Sequence, residues 1–205
     1  MKLILDYDDF CSQEPEKCLD VLHEMIKEVP HIKFNLFTVP AMRGYHTDYI
    51  WLKEVKKLVE SNNVRLCVHG LYHDHLEFEN IDSAMCKAYL NLIDNHINSD
   101  KNMWLPVFKG PNWGVNSITI EHLISHNYTH IYNHEDHKYL EILHSNQIKF
   151  VYYNQNLKDD IIPQDFMIAH GHTHNVCGNG IRETKDKILR FIDQYEPEFL
   201  WANEV

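Results

Sequence analysis

The sequence predicts a single-domain α/β protein with a parallel sheet, and three observations support this prediction. Short apolar runs typical of strands alternate with amphipathic helical segments along the chain. No linker rich in proline, glycine or polar residues divides it. The length of 205 residues, of which 44% are hydrophobic, suits one domain with a substantial core. We therefore expect one domain over residues 1–205.

The first unit joins a strand to a helix. Residues 2–9 predict a strand, because a buried-type apolar run leads into an acidic group that would end it. Pro15 lies where a helix begins readily, since its missing N–H costs nothing in a first turn. Apolar residues then recur at helical spacing, at Cys18, Leu19, Leu22, Met25, Ile26 and Val29.

The strand–helix unit then repeats. Further β-like runs predict six more strands, at residues 32–39, 64–69, 104–108, 129–132, 148–153 and 166–169. Between them we expect a helix capped by Thr47 or Asp48, a helix begun by Asp82 and a helix over 117–126. The helix after Asp82 is expected to bury a face formed by Met85, Ala88, Tyr89, Leu92 and Ile93. A last helix carries Ile188, Leu189, Ile192 and Tyr195.

Charge and cysteine content exclude several classes of function. The formal charge of -11 would repel phosphate backbones and anionic lipid, and no cluster of Lys or Arg opposes that repulsion. We therefore expect neither nucleic acid nor membrane as a partner. Five cysteines without a Cys-x-x-Cys pair suit a reducing compartment. Without a signal-like or membrane-spanning apolar run, the expected location is the cytoplasm. The sequence leaves the oligomeric state open.

Two histidines four residues apart, His69 and His73, follow the predicted third strand across Gly70. The chain has 16 histidines, and the same spacing recurs at His122/His126, His126/His130, His130/His134 and His170/His174. The first pair combines a β-like run with a glycine-containing turn, where the end of a sheet places side chains in a cleft. We therefore interpret His69 and His73 as metal ligands and most other pairs as surface positions.

Polar groups gather at four predicted strand ends. They are Asp8-Asp9 and the segments 69–73, 109–113 and 170–174. Because the carboxyl ends of parallel strands meet at one edge of a barrel, we expect these groups to form one site. Adjacent acids that close a buried strand lose hydration unless something binds them, which favours a functional role for Asp8 and Asp9. We interpret Asp6 as structural.

Together these groups resemble the polysaccharide deacetylase family, the NodB homology domain of carbohydrate esterase family 4. Tyr7-Asp8-Asp9 is similar to the family's aspartate motif, which implies Asp8 as the catalytic base and Asp9 as a metal ligand. His69 and His73 are similar to its histidine motif and imply the remaining ligands. The resemblance runs from the first strand to the seventh. It implies a distorted (β/α) barrel of about seven strands that forms a single catalytic domain.

Two further segments carry the resemblance. Residues 108–114 are similar to the third motif, which implies Lys109, Pro111 and Trp113 as substrate-binding residues. His170 ends a segment similar to the fifth motif, which implies a general acid.

The sequence also departs from the family pattern. Lys109 stands where the family usually has Arg. A lysine keeps the positive charge but lacks the two-pronged guanidinium that orients the base. Gly70 replaces a Ser or Thr, and only Asp136 is a candidate for the fourth motif. The family is usually exported, whereas this chain shows no signal segment.

The residue types indicate amide hydrolysis. Two imidazoles and one carboxylate are a common ligand set for a catalytic zinc ion, so we expect one divalent metal, with Zn²⁺ as the first choice. Asp8 would accept a proton from the attacking water, and His170 would protonate the leaving amine. His172 and His174 are alternatives for the acid. We predict a metal-dependent deacetylase that removes an N-acetyl group from a small sugar-like or carbohydrate substrate.

Two other interpretations stay open. Gly171-His172-Thr173-His174 resembles the last metal-binding motif of calcineurin-like phosphoesterases, and Asn133-His134-Glu135 is similar to their Asn–His turn. That family also needs an Asp-x-His near its start, which this chain lacks. The second interpretation is a barrel that retains the metal and binds carbohydrate without catalysis.

Overall fold

The computed structural model describes residues 1–14, 16–44, 48–98, 100–134, 136, 140–141, 144 and 146–205. In this part of the chain nine strands form one sheet, and every pairing in it is parallel. The strands are β1 Lys2–Phe10, β2 Phe34–Thr38, β3 Val64–Val68, β4 Trp104–Lys109, β5 His130–Asn133, β6 Lys149–Tyr152, β7 Gln155–Asn156, β8 Phe166–His172 and β9 Glu198–Phe199.

The sheet curls towards a barrel. Its strand order is β6-β5-β4-β3-β2-β1-β8-β7, and β9 adds a second neighbour at the start of β1. The first and last strands of this order, β6 and β7, are joined by residues 153–154 alone. Three residue steps reach at most about 11 Å, so the two outer strands of the sheet must lie close together. The predicted distorted barrel is confirmed as a curled parallel half-barrel.

Five helices of the described residues lie between the strands. They are α1 Leu19–Glu28, α2 Tyr49–Glu60, α3 Ser83–Asn98, α4 Ser117–Ser125 and α5 Ile181–Tyr195. The predicted strands and helices therefore occur in the expected order, and the short strands β7 and β9 are additions. Asp48 caps α2 by accepting a hydrogen bond from the N–H of Ile50 at 2.7 Å. The predicted roles of Pro15 and Thr47 lie outside the described residues.

The buried face of α3 differs from the expected one. Cys86, Leu90 and Ile93 are fully buried, whereas Met85 and Leu92 are 46% and 43% exposed. Ala88 is also exposed and Tyr89 is half-buried. Both sets of residues have helical spacing, and the helix α4 with the outer surface of the sheet covers the set that contains Cys86. The prediction for Met85, Ala88 and Leu92 was wrong.

A layer of apolar side chains fills the inside of the barrel. Seven strands each contribute one buried residue to it, namely Ile4, Phe37, Cys67, Val107, Tyr132, Val151 and Ile168. Two larger clusters lie outside the sheet, one beneath α1, α2 and α5 and the other beneath α3 and α4. No helix in the described part of the chain is long and apolar enough to cross a membrane.

Candidate active site

The candidate site lies directly above the apolar layer inside the barrel. Side chains alternate between the two faces of a strand, so residues two positions beyond the layer point to the same interior. Counting in twos from Ile4, Cys67, Val107 and Ile168 leads to the polar residues Asp6, Asp8, His69, Lys109, His170 and His172. Because of this period-two alternation, the polar cluster at the carboxyl ends of the strands shares the inner face of the sheet with the apolar layer.

Asp8 and Asp9 are adjacent yet face the same site. Alternation alone would turn one of them away, but the pairing of β1 with β2 is irregular between Tyr7 and Phe10. Within this irregularity Asp9 adopts a φ of 67°, a left-handed conformation that is costly for a residue other than glycine. The bulge turns the Asp9 side chain towards His69 and His73. The strained conformation of Asp9 therefore places its carboxylate in the same site as that of Asp8.

Asp9, His69 and His73 meet as a candidate metal-binding group. One ligand atom from each lies within 4.8 Å of the others. Asp9 Oδ1 is 3.4 Å from His69 Nε2 and 2.8 Å from His73 Nε2. His69 Nδ1 lies 3.0 Å from the carbonyl oxygen of Lys109, so Nδ1 donates and Nε2 keeps its lone pair. Asp9 Oδ1 is buried without a conventional hydrogen-bond donor, and this donor set fits a divalent cation.

A tight loop presents His73, and Glu77 holds it. The buried carboxylate of Glu77 accepts hydrogen bonds from the backbone N–H groups of Leu71, Tyr72 and His73, at 3.0–3.2 Å. Burial raises the pKa of Glu77, and the three N–H donors partly oppose that shift. Sequence reasoning missed Glu77, because no pattern distinguishes it from neighbouring acids on the same loop.

Gly70 explains one departure from the family pattern. Its φ is +71°, and a Cβ at this position would lie 2.5 Å from Pro111 Cγ and 2.6 Å from Glu77 Oε2. A Ser or Thr would therefore collide with both the third-motif loop and the carboxylate that holds the His73 loop. Pro111 is buried against this turn and is not among the residues that line the cleft, and its role in substrate binding stays a prediction.

Lys109 is buried and binds two carboxylates. Its side chain is 0% exposed, and Nζ donates to Asp6 Oδ1 and to Asp8 Oδ1, each at 2.6 Å. This position differs from the substrate contact expected for Lys109, and it gives Asp6 the structural role expected from the sequence. Burial alone would lower the pKa of Lys109, but Asp6 and Asp8 more than offset that effect and raise it. The ammonium stays charged.

The same charge acts on the two aspartates of the motif. Burial would raise the pKa of Asp8, but Lys109 and then His69 outweigh it, so the pKa falls below its ordinary range. For Asp9, burial is again outweighed, here by the adjacent imidazoles of His69 and His73, and the pKa lies well below the usual value. Both carboxylates are therefore ionised at neutral pH and available as ligand or base.

His170 stands on the opposite side of Asp8 from His69. Its Nδ1 lies 4.0 Å from Asp8 Oδ2 and 3.7 Å from Asp6 Oδ2, and it has no hydrogen-bond partner. The ring centroids of Trp113 and Tyr153 each lie 5.1 Å from that of His170. The imidazole is thus held by aromatic packing with one nitrogen directed at the carboxylates.

These groups open into a cleft of about 380 Å³, which Asp8, Asp9, His69, His73 and Trp113 line. His172 and His174, the alternatives for the acid, also line it. Asn112 of the segment 109–113 also lines the cleft, and four residues not anticipated from the sequence complete the wall: Glu16, Met42, Arg43 and Val176. Glu16 and Arg43 face each other at 3.5 Å, but no sequence motif marks either of them.

Comparisons with known proteins identify the fold. Neither a scan against protein-family models nor a search of curated proteins found a match. A family 4 acetyl xylan esterase from Clostridium thermocellum, solved with a cobalt ion, does align with this chain. The TM-score is 0.66 at 12% identity, over 100% of this chain and 89% of that one. The chain has the fold of the family 4 carbohydrate esterases.

Other structures of this fold extend the comparison. The chitin deacetylase from the fungus Colletotrichum lindemuthianum aligns with a TM-score of 0.63 at 11% identity, covering 99% of this chain and 86% of that one. A family 4 pseudoenzyme from Bacillus anthracis aligns with a TM-score of 0.60 at 12% identity, covering 97% and 62%. The predicted NodB-like fold is confirmed, and the fold is shared by enzymes and a pseudoenzyme alike.

The fourth-motif candidate and the phosphoesterase-like interpretation remain predictions. Asp136, the candidate for a fourth motif, is 84% exposed at its side chain and pairs with His134 at 3.0 Å. Glu135 of the phosphoesterase-like turn lies outside the described residues. None of the three structures named above is a phosphoesterase, and that interpretation gains no support from them.

Proposed function

We propose that this protein is a metal-dependent amide hydrolase that removes an N-acetyl group from a sugar-like substrate. One observation carries the proposal: a metal-binding group and a charged carboxylate line one cleft, and the imidazole of His170 lies 4.0 Å from that carboxylate. A fold shared with an acetyl xylan esterase and a chitin deacetylase supports an acetylated carbohydrate as the substrate class. The chemistry follows from the residues themselves.

The proposed metal ligands are Asp9 Oδ1 and the Nε2 atoms of His69 and His73. We favour Zn²⁺, since two imidazoles and one carboxylate suit it, although the same set accepts other first-row ions. When bound, the cation would polarise the substrate carbonyl and make an attacking water more acidic.

Asp8 is the proposed general base. Its Oδ2 is free to take a proton from the attacking water, because Oδ1 is already engaged by Lys109. The ammonium of Lys109 orients this carboxylate and keeps it ionised, as an Arg does in the family pattern. Lys109 also donates a hydrogen bond to Asp6. This second contact fixes the position of the ammonium, which a guanidinium would fix through its two-pronged contact.

His170 is the proposed general acid. After water adds to the carbonyl carbon, the C–N bond breaks and the leaving nitrogen takes a proton from the imidazole. Acetate and a free amine result, and the proton collected by Asp8 restores His170. The wall of Trp113 and Tyr153 keeps the imidazole in place and shields it from bulk water.

The first test measures metal content by mass spectrometry in the parent and in the double variant His69→Ala, His73→Ala. We expect about one tightly bound equivalent in the parent and none in the double variant, because the variant removes two of three ligands. Tight metal binding that survives the double change would overturn the proposed site.

Asp8→Asn tests the mechanism. The amide cannot accept the water proton, so acetate release from N-acetylglucosamine oligomers should fall by about 10²–10⁴-fold while the metal equivalent is retained. Asp186→Asn is the control, because it removes an exposed carboxylate from α5 that does not line the cleft. Full activity in Asp8→Asn would refute the base assignment. A parent that binds metal without releasing acetate would favour the non-catalytic, carbohydrate-binding interpretation instead.

A further inference from the structure

We propose that Asp8, His170 and His172 form a second, weaker site for a divalent cation. One ligand atom from each residue lies within 4.8 Å of the others, as in the group of Asp9, His69 and His73. The pairing of β1 with β8 builds this arrangement, because Asp8 lies opposite His172 and Asp6 opposite His170. Two imidazoles and a carboxylate again form a ligand set that suits zinc.

His170 supplies the observation that points to a ligand. Its side chain is only 5% exposed, yet its Nδ1 has no hydrogen-bond partner and faces Asp8 Oδ2 at 4.0 Å. A buried imidazole nitrogen without a partner is costly, and a bound cation would satisfy it.

His172 and Asp8 each have a free ligand atom. His172 Nδ1 lies 3.2 Å from the side-chain oxygen of Asn179 and donates to it, so the lone pair is on Nε2, which faces the cleft. Asp8 uses Oδ1 for Lys109 and has no conventional hydrogen bond on Oδ2. Each residue therefore offers one donor atom to a common point, and Asn179 fixes the His172 ring as an outer partner does for metal ligands.

Charge makes this site the weaker of the two. Three carboxylates and one ammonium surround the cleft floor, at Asp6, Asp8, Asp9 and Lys109. A first divalent cation on Asp9, His69 and His73 would neutralise their net charge, and a second would enter against the nearby Lys109 ammonium. We therefore expect the second cation to bind only at higher free metal concentration.

Occupation of the second site would inhibit hydrolysis. This consequence rests on the proposed function, because the cation would take the lone pairs of the residues assigned as base and acid. The binding itself does not depend on that assignment. Excess Zn²⁺ should therefore reduce acetate release over the concentration range in which the second equivalent binds.

The test is equilibrium dialysis of the protein against increasing Zn²⁺, with bound metal counted by mass spectrometry. The parent should bind one tight equivalent and one weaker equivalent. His172→Asn should weaken the second step about tenfold or more and leave the first unchanged. His174→Asn is the matched control, since it removes a cleft histidine outside the proposed group, and both steps should persist.

Several outcomes would overturn the inference. One is a single equivalent in the parent at all Zn²⁺ concentrations, and another is equal loss of the second step in His174→Asn and His172→Asn. His172→Gln and thermal unfolding curves guard against a variant that fails to fold. If a second equivalent binds but acetate release is absent even when only the first equivalent is bound, the second site stands and the proposed function is refuted. If the protein releases acetate but never binds more than one equivalent, the proposed function stands and the second site is refuted.

Discussion

Neighbouring residues of this chain acquire different roles because the backbone around them differs. Asp8 follows the alternation of β1 and contacts Lys109, whereas Asp9 has a φ of 67° and turns towards His69 and His73. The irregular backbone between Tyr7 and Phe10 thus gives two identical side chains different contacts. A regular strand would send one carboxylate away from the cleft.

Gly70→Ala should destabilise the protein by about 2–4 kcal/mol, from a left-handed alanine and from overpacking against Pro111 and Glu77. Urea unfolding followed by fluorescence measures this change. Gly178→Ala is the matched control, since Gly178 has a φ of +88° but open space around it, and it should cost only about 1–2 kcal/mol. Equal losses in both variants would show that the steric clash at Gly70 is unimportant.

At the scale of elements, the carboxyl ends of the strands and the loop after β3 carry the site, while helices pack against the sheet from outside. The loop after β3 is organised by one buried carboxylate that accepts three backbone hydrogen bonds. The helix α3 packs on the outer surface of the sheet through Cys86, Leu90 and Ile93. We therefore expect changes in this loop to affect the proposed metal binding and changes in helix packing to affect stability.

Glu77→Gln tests the role of the loop. The amide offers one acceptor oxygen instead of two, so the N–H groups around His73 lose partners and metal affinity should fall about 10–100-fold. Titration with Zn²⁺ against a competing chelator measures it. Asp74→Asn removes an exposed charge from the same loop and should leave the affinity nearly unchanged. If both variants weaken binding equally, local charge rather than hydrogen bonding explains the effect.

Leu90→Ala and Leu92→Ala test the face that α3 buries. Leu90 is 0% exposed, and its truncation should cost about 2–5 kcal/mol because it leaves a cavity. Leu92 is 43% exposed, and its truncation should change stability by no more than about 0.5 kcal/mol. The comparison uses urea unfolding of both variants. A larger loss for Leu92→Ala would place the opposite face of α3 against the sheet.

For the whole molecule, the curl of the sheet concentrates charge inside a low-dielectric barrel. Asp6, Asp8 and Asp9 lie within the barrel mouth, and Lys109 balances only one of their charges. Uncompensated buried carboxylates repel one another and lower stability. A bound cation should therefore stabilise the fold as well as serve the proposed reaction.

Metal removal should lower the melting temperature. At free Zn²⁺ of about 100 times the Kd, binding contributes about 2.7 kcal/mol, equivalent to about 5–10 °C for a domain of this length. Differential scanning calorimetry with and without a chelator measures the shift. The double variant His69→Ala, His73→Ala should show little metal-dependent shift. A parent that melts at one temperature in both conditions would contradict metal binding to the folded state.

The order of strands and helices and the residues at the strand ends could be predicted from the amino-acid sequence. Hydrophobic periodicity identified seven strands within a few residues of their observed bounds, because alternation and apolar runs are local properties. The sequence also predicted that five residues lie close together, because parallel strands end at one edge of the sheet. They are Asp8, Asp9, His69, His73 and His170.

The contacts between individual side chains could be read only from the packed fold. Lys109 was expected to bind substrate, yet the curl of the sheet buries it between Asp6 and Asp8. Glu77 carries no sequence signal, because its role depends on the path of a loop that closes around its carboxylate. The helix α3 likewise has two faces of similar apolarity, and its packing against α4 and the sheet determines which of them is buried. Local patterns specify elements, whereas contacts between distant residues depend on how those elements pack.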